Sequence, residues 1–174
     1  MFQFLRMVYR VLLACSAEKG RSPGLRASLS YLAAQDNRYD LGFESAGVSR
    51  ELIAQLREAG RDETNPHVVR ILGEWGIPMG AGTIRHFTEL DGGFNLVLVA
   101  ERQHKGYFGG LRVSGLHEFV GEEDRDVFDA YPYVTSNGIP KGSQEYDIAY
   151  RLMCWTLRRL AGKAYGRIVR ENPP

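Results

Sequence analysis

Four short apolar stretches lie at residues 8–14, 40–46, 94–100 and 111–119. Polar and apolar positions recur with helical spacing over 22–35, 48–60, 66–75 and 143–161. Short apolar runs predict strands, and the 3.6-residue period predicts amphipathic helices. Their alternation predicts an α/β fold: a single domain with a four-stranded parallel sheet flanked by helices on both faces. Phe94 to Ala100 is almost continuously apolar, as a strand covered on both faces must be. Pro23 sits where the first helix begins, a position at which its missing N–H costs nothing. In the last helix Tyr146, Ala149, Met153, Leu157 and Leu160 form a stripe expected to face the core. Arg151, Arg158 and Arg159 are expected on its solvated face. Residues 121–126 read as an acidic loop and 134–142 as a turn-rich one. The domain is expected over 7–161, with 1–6 as an N-terminal extension and 162–174 as a frayed tail.

Composition narrows this picture little. Apolar residues make up 44% and charged residues 25%, and the net charge is +1. Neither a nucleic-acid partner nor an anionic membrane is implied by that balance. No apolar run approaches the ~20 residues of a membrane helix. With two cysteines, Cys15 and Cys154, there is no disulfide framework, and a reducing, cytoplasmic setting is expected. His67, His86, His104 and His117 are scattered without metal-ligand spacing, so no metal and no cofactor is expected.

The first strand runs directly into Cys15, Ser16, Ala17, Glu18, Lys19, Gly20, Arg21 and Ser22. This loop lies between the C-terminal end of a strand and the N-terminus of a helix, where α/β folds bind anions. Main-chain N–H groups from Ser16 to Gly20 can encircle a phosphate, and the planar fork of Arg21 can grip two of its oxygens. The same donors favour the thiolate that Cys15 needs in order to attack. Ser22 is placed to hydrogen-bond the sulfur and ease its departure.

Strand, Cys-x5-Arg-Ser-Pro and helix resemble the low-molecular-weight protein tyrosine phosphatase family. Further matches follow in family order: Phe43 to Gly47 with its Ser-Ala-Gly, Asn65 to Ile77 with its closing Gly-Ile, Phe94 to Val99 as the central strand, and Asp126 to Tyr131 as the acid segment. The likeness spans roughly 7–161. It implies hydrolysis of phosphotyrosine in a protein, or of a small aryl phosphate, through a phosphocysteine. It also implies Asp129 as general acid, Tyr131 and Tyr133 as walls for the substrate ring, and Ser45 as a brace beneath the loop. A rival register places Ile139 to Ser143 over the acid segment and puts Lys141 where the acid belongs.

This chain departs from the family pattern at three places. Glu18 replaces an asparagine suited to left-handed backbone, and its charge is expected to be wrong beside a phosphate. Gly82 stands where a supporting histidine is expected, with His86 nearby expected to be an exposed polar residue. Gly20 replaces a second cysteine, so oxidised Cys15 is expected to lack a local resolving thiol. Cys154 is expected to be a buried core thiol. Two other classes stay open: a non-catalytic phosphate-binding domain and, with too few cysteines to favour it, an arsenate reductase.

Overall fold

The computed structural model describes residues 8–174; the expected N-terminal extension lies outside them. Four strands, β1 (Tyr9–Cys15), β2 (Leu41–Gly47), β3 (Leu96–Val99) and β4 (Val113–Gly115), form one parallel sheet in the order β2-β1-β3-β4. Among the described residues there are six α-helices: α1 (Arg21–Gln35), α2 (Arg50–Glu58), α3 (Pro66–Glu74), α4 (Leu116–Phe119), α5 (Ala130–Ser136) and α6 (Gln144–Glu171). Short 3-10 turns occupy Phe87–Glu89 and Arg102–Tyr107.

Alternation along β1 sorts the two cores. Val11, Leu13 and Cys15 point into the larger one, shared with α1, α3, α5 and α6. Leu12 and Ala14 face a smaller one with Ala46, Val97, Val99 and Phe108. Ile53 of α2 packs with Ile84 against Ala17 in a third cluster. β1 is flanked by β2 on one side and β3 on the other, so chain direction around the sheet reverses at its C-terminal end. That switch point is where a doubly wound sheet opens a crevice for ligands.

Two expectations need correction. The apolar run 111–119 is not one strand: β4 has three residues, and Leu116 to Phe119 then turn into α4. The segment 162–174 is not a frayed tail, because α6 continues to Glu171. Ala164, Tyr165 and Ile168 extend the buried stripe of Leu157 and Leu160 by further turns. Polar contacts hold this extension. The Tyr165 hydroxyl donates to Asp36 at 2.8 Å, Lys163 reaches Glu122 at 2.7 Å, and Arg167 lies over the Phe119 ring. Arg159 also bonds Glu122, and these cations hold its carboxyl well below the usual carboxylate range. Among the described residues no helix is long and apolar enough to cross a membrane.

Candidate active site

The loop from Cys15 to Arg21 hangs from β1 and is pinned on both flanks. Val48 N–H donates to Cys15 O at 3.0 Å and Ser49 N–H to Ser16 O at 2.9 Å, tying it to the end of β2. Asn65, the N-cap of α3, donates from its main chain to Lys19 O at 2.7 Å. Gly47 permits the close approach. A Cβ there would lie 2.8 Å from Ile53 Cδ1 and 3.0 Å from Ala17 main-chain atoms. Within the loop, the amides of Ala17, Glu18, Lys19 and Gly20 donate to no acceptor among the described residues. Consecutive free N–H groups ahead of a helix N-terminus form an anion nest.

Cys15 is 3% exposed, with the Ser22 hydroxyl 3.0 Å from its sulfur. The Arg21 guanidinium is buried beside it, donating to Val127 O at 3.2 Å and pairing with Asp129 Oδ2 at 2.9 Å and with Glu101. Burial alone would pull the Arg21 pKa down; the charges of Cys15, Asp129 and Glu101 outweigh it and push it up. Asp129 caps α5, accepting from Tyr131 N–H at 3.1 Å, which fixes its second oxygen toward Arg21.

Glu101 was not anticipated from sequence. It follows β3, accepts from the Ser16 hydroxyl at 2.5 Å and from Gln103 at 2.8 Å, and pairs with Arg21. Burial works against its charge, yet Arg21 and Ser16 hold its carboxyl below the ordinary value. His104 stands behind it, with Nε2 3.6 Å from Glu101. Burial lowers the His104 pKa, so the ring is neutral at pH 7.

Glu18 does not face the phosphate position as its charge led us to expect. It adopts φ +58° and is 4% exposed. Its carboxylate turns beneath the loop, accepting from the Ser45 hydroxyl at 2.7 Å and from Arg85 N–H. Left-handed backbone re-aims the side chain, so that it meets the Ser45 hydroxyl of β2. Burial nonetheless raises the Glu18 pKa against the pull of Ser45 and Arg85. Gly82 takes no part in this support; its carbonyl accepts from Thr64 N–H at 2.8 Å and its N–H donates to the Thr64 hydroxyl at 3.3 Å. His86 is buried, not exposed: Nε2 lies 3.2 Å from Val48 O and Nδ1 2.8 Å from the Thr88 hydroxyl, capping the 87–89 turn.

A cavity of about 600 Å³ opens over the loop. Cys15, Ser16, Lys19, Arg21, Asp129 and Tyr131 all line it. Tyr133 does not; it packs edge-on against Phe128, ring centroids 5.7 Å apart. Lys141 lines the cavity as well, while from the first register's acid segment Asp129 pairs with Arg21 at 2.9 Å, alongside Glu101. Cys154 is wholly buried on α6, and burial pushes its thiol up to about 12.

Sheet order, loop and helix arrangement together define the fold of the low-molecular-weight protein tyrosine phosphatases. No family model and no curated protein sequence matches the chain. Solved structures do. A low-molecular-weight protein tyrosine phosphatase from Bacillus subtilis is 21% identical, covering 95% of this chain and 99% of its own, with a TM-score of 0.68. The YwlE arginine phosphatase from Geobacillus stearothermophilus is 22% identical, with 94% of each chain covered and a TM-score of 0.66. Wzb from Vibrio vulnificus, in complex with benzylphosphonate, is 15% identical over 92% of this chain and 99% of its own, TM-score 0.63.

Proposed function

We propose that the protein is a phosphatase that hydrolyses an aryl phosphate, phosphotyrosine in a protein first among them, through a phosphocysteine. The observation that carries the reading is the meeting of Cys15, Ser22, Arg21 and Asp129 around a nest of free amides at one cavity floor. Structural neighbours named as tyrosine and arginine phosphatases support it.

An entering phosphate competes with Asp129 for the Arg21 fork; the freed carboxylate takes up a proton from solvent and meets the leaving oxygen as the acid. Cys15 Sγ attacks phosphorus, the phosphorus–oxygen bond breaks, and Asp129 hands its proton to the departing phenolate. Arg21 and the loop amides hold the charge on the equatorial oxygens. Water then attacks the phosphorus–sulfur bond, giving its proton to Asp129; phosphate leaves and the thiolate is restored, with Ser22 donating to it. Nothing in these steps needs a metal or cofactor.

The test is hydrolysis of p-nitrophenyl phosphate by wild type, Cys15→Ser and Asp129→Asn. Turnover is expected to vanish with Cys15 and to fall by roughly 10²–10⁴ with Asp129, the usual range for a lost general acid. Turnover that survives Cys15→Ser refutes the mechanism. Absent turnover with vanadate still bound identifies a non-catalytic phosphate-binding domain instead.

A further inference from the structure

The walls of the cavity above the nucleophile carry a charge pattern that the chemistry of phosphate transfer does not require. Among the described residues most other lysines and arginines, though not Arg26, Arg50, Arg158 or Arg170, are neutralised by a carboxylate: Arg70 and Arg151 by Glu74 and Asp147, Arg159 and Lys163 by Glu122. Lys19, Arg61 and Lys141 are set apart by where they stand. None has a carboxylate within ion-pair distance among the described residues, and all three line the cavity. Lys19 is held in place by neutral acceptors, donating to the main-chain carbonyls of Arg61 and, at 2.7 Å, of Glu63. Such bonds fix an ammonium without cancelling it.

Burial and the repulsion of Arg61 pull the Lys19 pKa down, against a smaller opposing pull from Asp62 and Glu63. Burial, then Lys141 and Arg70, depress the His67 pKa on the same wall. The cations therefore crowd one another. Opposing carboxylates are few: Asp129 is engaged by Arg21, and Glu63 is the other acid on the lining. Leu52, Leu56, Tyr131 and Ile139 supply apolar wall for a ring. At about 600 Å³ the space sits mid-range for pockets that enclose whole ligands.

Building on the phosphatase reading above, we propose that this site selects phosphotyrosine flanked by acidic residues, the flanking carboxylates seating against Lys19, Arg61 and Lys141. A basic substrate such as phosphoarginine in a cationic segment would meet repulsion from the same three groups.

The test is binding of fluorescein-labelled phosphotyrosine peptides to the Cys15→Ser protein, read by anisotropy, with glutamate flanks in one and glutamine flanks in its twin. Exposed charge pairs are individually weak, and two or three together predict roughly a three- to tenfold preference for the acidic peptide. That preference is expected to shrink at high salt and to collapse toward unity in Arg61→Gln with Lys141→Gln. Wild-type kcat/KM on the unlabelled twins reads the same ratio without the serine variant. A ratio of one or less overturns the inference, as does a ratio that survives the double substitution, or an unphosphorylated acidic peptide binding as well as the phosphorylated one. Failure of p-nitrophenyl phosphate turnover is a separate result: it removes the phosphatase reading, while the peptide binding ratio still reports the charge selectivity.

Discussion

Replacing Glu18 tests how the nucleophile loop is held. Its carboxylate satisfies the buried Ser45 hydroxyl at 2.7 Å and the half-buried Arg85 N–H, and joins the loop to β2 and the 82–86 segment. Glu18→Ala strands both donors, at about 1–3 kcal/mol each, while removing the cost of burying a charge. The net expectation is about 2–4 kcal/mol lost. For a chain of this size each kcal/mol moves Tm by about 2–4 °C, so the melting temperature falls by roughly 5–15 °C. Glu18→Gly relieves the φ of +58° as well and is expected to recover about 1 kcal/mol of that loss. Glu18→Gln keeps both contacts, its carbonyl accepting from Arg85 N–H and its amide donating to Ser45, and stays within about 1 kcal/mol of wild type.

The pH dependence separates charge from shape. Burial raises the Glu18 pKa above its ordinary 4.5, so the folded state holds this proton more tightly than the unfolded state. Its contribution is thus fully favourable below about 4.5 and is lost as pH rises through the raised folded value. In Glu18→Gln that decline disappears. Guanidinium unfolding of wild type, Ala, Gly and Gln variants between pH 4 and 8, followed by circular dichroism, gives all four quantities. An alanine variant as stable as wild type, or a glutamine variant as damaged as alanine, refutes the bracing argument.

Glu101→Gln loosens Arg21 and removes a charge that keeps it seated. Its kcat on p-nitrophenyl phosphate is expected to drop roughly tenfold with smaller change in thermal stability; an unchanged kcat shows that Val127 and Asp129 position Arg21 unaided. Gly47→Ala drives a Cβ against Ile53 and the Ala17 main chain, and is expected to cost about 1–3 kcal/mol in denaturant unfolding together with a raised KM. Iodoacetamide is expected to label Cys15 in the native protein and spare Cys154, which is buried and has its pKa pushed up to about 12; mass spectrometry showing Cys154 modified first contradicts this. With Gly20 in place of a neighbouring thiol, peroxide inactivation is expected to be only partly reversed by reductant, and full recovery of turnover refutes it.

What the sequence disclosed about this site divides along contiguity. Cys15, Arg21 and Ser22 belong to one strand–loop–helix unit, so spacing alone assembled them, and the nest between them follows from local backbone. Asp129 is over a hundred positions further on, and only likeness to a known acid segment pointed to it; the α5 cap then aims its free oxygen at Arg21. Glu101 was hidden for a different reason. It reaches Arg21 across eighty residues because β3 pairs in parallel with β1, Ala14 opposite Val99, which sets the residues just past each strand side by side. The available signal was positional: the first charge after the buried run 94–100, at the edge where the sheet changes direction. Glu18 misled through its charge, since electrostatic reasoning assigns a carboxylate a place relative to the phosphate but no backbone sign, and φ decides which side of the loop it occupies. The C-terminal turns of α6 were mistaken for a tail because Arg167, Arg170 and Lys163 dominate their composition. Their buried spacing from Leu157 through Leu160 and Ala164 to Ile168 is nonetheless unbroken. In each miss the deciding contact joins elements distant in the chain, so periodicity had recorded the face but not its partner.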